Sequence, residues 1–232
     1  MTEYVTSHGT FKCFKNDPAF VEQMRQGKLY EEDIVYAHLK PYIQSSTVIL
    51  DIGAHIGSHS IMYATINPDA EIHAFEPQSR IYELLEYNTS GFPNVTTYNK
   101  AVGHKNQSCC LDHLIHDGYN HKVEYGTDKL LNLGGMQLGL QGEKTEMITI
   151  DSLNLEWVDY MKIDTEGAEN LVLTGAMNLI KKCKPVIFFE KNYKFLTRDV
   201  LETLDATHIP DSLSILEGYT YTRIGDNIIA KI

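Results

Sequence analysis

The sequence is short of basic charge. Its 232 residues carry 20 Lys and Arg against 31 Asp and Glu, a formal net charge of −11. A field of that sign repels phosphate backbones at long range. It weighs against a nucleic-acid-wrapping role and leaves small neutral or cationic ligands open. Cysteine is sparse as well. Cys13, Cys109, Cys110 and Cys183 show no CxxC spacing, and two adjacent thiols are not a usual zinc pair. Free thiols in a reducing compartment are the expectation. No apolar run approaches the roughly 18 residues of a membrane span. The opening MTEYVTSHGTFKC has neither a basic n-region nor an apolar h-region, so no signal peptide and a cytoplasmic location are expected. Internal repeats and low-complexity stretches are absent too.

Hydrophobic residues make up 43 % and charged residues 22 %, which excludes collagen, coiled coil and wholesale disorder. The length suits a single domain over residues 1–232, with 1–46 as an N-terminal strand and helix cap and 104–147 as an irregular acceptor-side insertion. TFKCFKN at Thr10 to Asn16 predicts a short strand with Phe11, Cys13 and Lys15 on one face. Tyr30 to Ile43 predicts a helix whose face carries Ile34, Val35, His38 and Leu39.

From Val48 the period changes. VILDIG, EIHAFEP, VTTYN, TEMITI, YMKID and PVIFFE read as strands. Between them lie helices near residues 57–66, along Ile81, Leu84, Leu85 and Asn88, and along Ala168, Leu171, Val172, Ala176, Leu179 and Ile180. A further helix near Thr197 to Thr207 precedes a hairpin turned at Gly225-Asp226. This alternation predicts an α/β doubly wound sheet. Asn106 to Leu114 predicts one more strand. His116 to Gly142, with six glycines, reads as a cover over an active site.

In open parallel sheets ligands bind at the carboxyl ends of the strands. Here those ends carry Asp51, Glu76, Asn99, Asp164 with Glu166, and Glu190. In D-I-G-A-H-I-G, Gly53 and Gly57 permit a tight turn and close approach to a ligand. A dinucleotide fingerprint would want a second glycine where His55 stands, and no diphosphate cradle follows. Asp51 and Glu76 are placed to accept hydrogen bonds from an amine and a ribose diol. S-adenosylmethionine, a cationic nucleoside without a pyrophosphate, fits that pattern.

These segments resemble the FkbM-type S-adenosylmethionine-dependent methyltransferases. The carrying residues are VILDIGAHIGSHS, AFEP, NKAVG, TIDSL, KIDTEGAENLVLTGA and KPVIFFE, with LYE at Leu29 to Glu31. The resemblance implies a Rossmann-like, class I methyltransferase sheet of seven strands, mostly parallel, with an antiparallel C-terminal hairpin strand. It implies O-methylation of a hydroxyl on a glycan or small natural product. Carried over, Asp51, Gly53, Ala54, His55 and Gly57 shape the cofactor turn, and His59 reaches the methionine end. Glu76, with Pro77, binds the ribose. Ala101 and Val102 flank the adenine, and Asp164 sits close to the transferred methyl. His55 departs from the family's usual Asn. The segment from His116 to Gly142 is expected to hold acceptor specificity.

Asp164 is the favoured general base, with Glu166 and Glu190 as alternatives. Lys162 shares a strand face with Asp164 and either tunes it or pairs with Glu190. No metal ligand set is evident, since His113, His116 and His121 are loosely spaced along a loop. Three other readings carry less weight. Ribose 2′-O-methylation of RNA would use Lys28, Asp164 and Lys191. A silent binding scaffold would keep the fold alone. A nicotinamide dehydrogenase is disfavoured by His55.

Overall fold

A computed structural model describes residues 1–15, 17, 20–112, 133–190 and 196–232 in full, and residues 18, 19, 114–117 and 121–124 through their backbone. His113, Lys191 and much of the glycine-rich stretch lie outside the described residues.

The chain begins with β1 (Thr2–Thr6), β2 (Gly9–Cys13) and α1 (Pro18–Arg25). A three-part helix follows: α2 (Glu32–Ile34), a π-helical turn (Val35–Leu39) and α3 (Lys40–Gln44). Then come β3 (Val48–Ile52), α4 (Ser58–Ile66), β4 (Glu71–Phe75), α5 (Ser79–Thr89) and β5 (Val95–Tyr98). The middle of the chain supplies β6 (Ala101–Val102), β7 (Gln107–Asp112), β8 (Leu114–Asp117), β9 (His121–Glu124), β10 (Leu138–Gly139) and β11 (Gly142–Ile148). It continues through β12 (Tyr160–Ile163), α6 (Glu169–Gly175), α7 (Met177–Cys183) and β13 (Val186–Glu190). The last elements are α8 (Arg198–Thr203), α9 (Ser212–Ile215), β14 (Thr220–Ile224) and β15 (Asn227–Lys231).

Seven strands form the main sheet in the order β14-β15-β13-β12-β3-β4-β5. β15 runs antiparallel to both its neighbours, and the other pairings are parallel. The expected antiparallel strand is therefore present, inserted one place from the edge. β3 and β12 are apolar apart from Asp51 and Lys162 and are buried almost throughout, as parallel strands covered on both faces must be. From β3 the chain winds out to β4 and β5, then crosses back to β12 on the other side. That reversal opens a crevice between the ends of β3 and β12.

A second sheet, β10-β7-β11-β6, sits beside it. One of its contacts with the main body sets backbone directly against backbone. A Cβ on Gly175 would come within 1.9 Å of the Gly103 carbonyl oxygen, so only glycine lets α6 approach there.

Three expectations need correcting. The helix over Tyr30 to Ile43 is not regular. Pro41 has no N–H to give to the carbonyl one turn back, and the chain widens so that the Lys40 N–H reaches the Val35 carbonyl. The buried face becomes Val35, Leu39 and Ile43, while His38 is exposed. The expected helix through Ala168 and Ile180 is two helices broken at Ala176. Asp151 explains the break, because its carboxylate accepts the N–H groups of Asn178 and Leu179 at 3.1 and 3.0 Å and caps α7 from outside. All six residues expected on that face are buried nonetheless. Finally, Lys15 lies beyond the end of β2 and is exposed, so only Phe11 and Cys13 are buried there. Among the described residues no helix is long and apolar enough to cross a membrane, and all four cysteines are free.

Candidate active site

A hollow lies over the carboxyl ends of β3, β4 and β12, with an empty volume of about 1070 Å³, its mouth included. Of the residues expected there, Gly53, Ala54, His55, His59, Glu76, Pro77, Ala101, Val102, Lys162, Asp164 and Glu166 line it. Asp51, Gly57 and Glu190 do not.

The first loop explains two of those exceptions. The N–H groups of Gly53 and Ala54 both donate to the Phe75 carbonyl, which ties the loop to the end of β4. Gly53 has a φ of +80°, and a Cβ there would lie 1.8 Å from the Asp164 carbonyl oxygen. Gly57, at φ +92°, turns the chain into α4 and faces Leu85 and Thr89 of α5, so it serves packing. Asp51 was expected to grip the ligand, but it is sealed beneath the loop. The Ser60 hydroxyl donates to its Oδ2 at 2.6 Å, and Lys162 Nζ lies 3.5 Å from its Oδ1. It sits one residue before the strand's end, where its side chain points into the body and not at the rim.

His55 takes the left-handed conformation at φ 50°, where Asn and His are tolerated better than most residues. Its ring packs obliquely on Phe20 at 4.4 Å between centroids, and among the described residues both buried ring nitrogens lack a hydrogen-bond partner, the Asp17 carboxylate lying 4.0 Å from Nε2. Burial and the nearby Lys162 charge push its pKa down to about 3, so the ring is neutral. Ser58 Oγ and Gln78 Oε1, from side chains on the same hollow, are likewise buried with no hydrogen-bond partner among the described residues.

Glu76 closes the next strand. Its Oε2 accepts the His55 N–H at 3.0 Å and its Oε1 accepts the Gln78 N–H at 2.9 Å. Burial raises its pKa to about 7 against the lowering pull of those N–H groups and Lys162. Gln78 Nε2 donates to the Leu133 carbonyl at 3.2 Å. Gly134, Met136 and Leu138 follow on the wall of the hollow. Of the segment expected to cover the site, described residues after Leu133 line the hollow at the end nearest Glu76, and residues 118–120 and 125–132 lie outside the described residues.

The loop after β12 shows why K-I-D-T-E-G-A-E is a unit. Lys162 is buried, donates to the Gly53 carbonyl at 2.6 Å and lies 3.4 Å from Asp164 Oδ2. Burial alone would lower its pKa, but the carboxylates of Asp164, Asp51 and Glu31 together hold it above the usual lysine value. Glu169 Oε1 accepts the N–H groups of Thr165 and Gly167 and the Thr165 hydroxyl, which braces the turn from below. That turn carries Glu166 at φ 54°, another left-handed residue at the site. One carboxylate oxygen each from Asp164, Glu166 and Glu190 lies within 4.8 Å of the others, a spacing open to a hard cation.

Sequence reasoning missed Tyr30 and Glu31. Tyr30 stacks on Phe20 at 4.6 Å and lines the hollow. Glu31 Oε2 lies 3.3 Å from His59 Nε2, and its Oε1 accepts from Asn227 Nδ2 at 3.3 Å. The pairing with His59 and Lys162 holds its carboxyl below the usual value although burial opposes this. Glu31 also takes φ 58°. The only signal was the tripeptide LYE, noted as a resemblance with no role attached.

A mostly parallel sheet with one antiparallel strand beside its edge, and a hollow at the point where the winding reverses, is the architecture of class I methyltransferases. A model of the methyltransferase FkbM domain matches residues 51–221. The chain belongs to the FkbM methyltransferase family. The crystal structure of methyltransferase FkbM from Methylobacillus flagellatus KT superposes with a TM-score of 0.50 at 16 % identity, covering 81 % of this chain and 44 % of that one. Precorrin-6y C5,15-methyltransferase from Geobacter metallireducens GS-15 gives a TM-score of 0.44 at 16 % identity, with 87 % and 86 % covered. Among curated proteins, AMB antimetabolite synthetase AmbE of Pseudomonas aeruginosa is 26 % identical over 63 % of this chain. The chain spans 8 % of that synthetase's length.

Proposed function

We propose that this chain is an S-adenosylmethionine-dependent O-methyltransferase acting on a hydroxyl of a glycan or small natural product. The observation that carries the reading is the set of buried polar atoms on His55, Ser58 and Gln78 that find no hydrogen-bond partner among the described residues and belong to side chains lining one hollow. Buried polar atoms are rarely left unpaired, so these side chains are open to a ligand rich in donors and acceptors.

Glu76 accepts from the ribose hydroxyls, each of its oxygens keeping capacity beyond its one backbone N–H. Ala101, Val102, Met136 and Leu138 give the adenine an apolar slot. His55, His59 and Ser58 hold the amino-acid end. Asp51 acts from below, by keeping Lys162 and α4 in place. When bound, S-adenosylmethionine supplies an electrophilic methyl group. The chain holds the acceptor oxygen in line with it and takes the hydroxyl proton on Asp164. Positioning of this kind supplies up to roughly 7–11 kcal/mol, and the base a further ~10²–10⁴-fold. Lys162 fixes the Asp164 carboxylate at 3.4 Å.

Calorimetric titration with S-adenosylhomocysteine tests the cofactor, and absence of binding overturns the reading. Asp164→Asn should bind it within about threefold of the parent while transfer to a screened acceptor drops by about 10²-fold or more. The RNA reading has no observation in its favour. Lys28 is on the surface, held by Asp33 at 2.8 Å.

A further inference from the structure

A second cavity, with about 700 Å³ of empty volume including its mouth, lies against the first. The two share Tyr30, Asp164 and Glu166 as walls. The far side is built from parts of the chain remote in sequence. Glu31 comes from the segment before α2, Glu190 from the end of β13, and Asp226 and Asn227 from the β14–β15 turn. Glu31 ties these parts together, touching His59 of the first hollow and Asn227 of the turn.

The shared wall is the one that carries Asp164. A group entering the second cavity therefore meets the wall it shares with the cofactor hollow proposed above. Five carboxylates line the second cavity, and among the described residues no lysine, arginine or histidine does. All five have partners of their own: Glu31 has His59, Asp164 has Lys162, Asp226 has Arg223, and Glu166 and Glu190 are engaged as well. The bias toward cations rests on the sum of charges around the walls, not on any single free carboxylate. Resting on the function proposed above, we infer that this cavity is the acceptor subsite and that it takes an alcohol bearing an amine, the ammonium lying among Glu31, Glu190 and Asp226 while the hydroxyl reaches Asp164. The same walls disfavour carboxylated and phosphorylated acceptors.

The test needs no knowledge of the natural acceptor. Adenosine derivatives are prepared in which nitrogen replaces the cofactor's sulfur and bears, beside the amino-acid chain, a short arm ending in an ammonium, a hydroxyl or a carboxylate. Each is titrated calorimetrically into the full chain, with S-adenosylhomocysteine as reference. The ammonium arm should bind about tenfold more tightly than the carboxylate arm, with the hydroxyl arm between them. The gap should narrow as salt is raised, and Asp226→Asn, which keeps a turn-compatible residue beside Gly225, should reduce it about threefold. Equal affinities for the three arms, a preference for the carboxylate, or arms that all bind worse than the reference overturn the inference while leaving the cofactor reading standing. Failure of S-adenosylhomocysteine itself to bind removes both.

Discussion

Replacing Gly53 by alanine isolates the close approach between the first loop and the end of β12. The new Cβ would lie 1.8 Å from the Asp164 carbonyl oxygen and 2.9 Å from its carbon, both backbone atoms that cannot swing aside. Reaching even a tight 3.0 Å contact requires a retreat of about 1.2 Å at the tips of two paired strands. That movement strains the bond from the Asp164 N–H to the Ile52 carbonyl and the one from Lys162 to Gly53 itself, now 3.0 and 2.6 Å. Left-handed alanine costs about 1–2 kcal/mol, the overpacking about 1–3 kcal/mol and a weakened buried hydrogen bond about 1 kcal/mol. These overlap, and about 4 kcal/mol is expected. For a chain of this size that lowers Tm by about 10 °C. Gly218→Ala is the matched control. Gly218 has a φ of +87°, but nothing lies within 4 Å of its added Cβ, so it should cost only the left-handed strain of about 1–2 kcal/mol. Urea unfolding of both variants, with S-adenosylhomocysteine titration, reads the difference. Equal destabilisation by the two substitutions, with cofactor affinity intact in Gly53→Ala, would refute the claim that this glycine exists for the approach to Asp164.

Two further outcomes are expected. Glu76, with its pKa raised to about 7 in the free protein, binds a proton that ribose hydroxyls donating to a carboxylate would expel. Its pKa is therefore lower in the complex, binding releases protons below about pH 7, and S-adenosylhomocysteine affinity should rise by up to about tenfold from roughly pH 6 to pH 8 and then level. Glu76→Gln should flatten that rise; an unchanged profile counts against Glu76 as the ribose acceptor. Lys162→Met leaves Asp51, fully buried, and Asp164 facing each other without their shared cation. Unfolding by urea should show a loss of about 3–5 kcal/mol, and a loss below about 1 kcal/mol would mean that Lys162 is not what reconciles the two acids.

The main sheet was legible because β3, β12 and β13 are apolar runs broken only by Asp51, Lys162 and the terminal Glu190, and runs of that kind suit strands covered on both faces. The reach of Asp51 was not. Its position at a strand end was clear, but Ser60 and Lys162, which turn it inward, come from a helix and from another strand. The break at Ala176 was hidden for a similar reason, since the spacing of apolar residues continues through it and the capping carboxylate of Asp151 arrives from 25 residues earlier, at a place where local period carries no trace of it. Glu31 was the largest omission. Beyond the tripeptide LYE nothing near it in sequence marks it, and its partners His59 and Asn227 are joined to it only by the fold.

The bond between Glu31 and Asn227 spans 196 residues. A ribosome that has finished every parallel strand of the sheet's centre has still not delivered the asparagine, so the nascent molecule can bury its core well before it owns a complete chamber for chemistry. Until the final hairpin docks, Glu31 waits without its far anchor, and a nucleoside captured early would, on the function proposed, face open water on the side assigned to methyl transfer. Competence, on this architecture, trails folding.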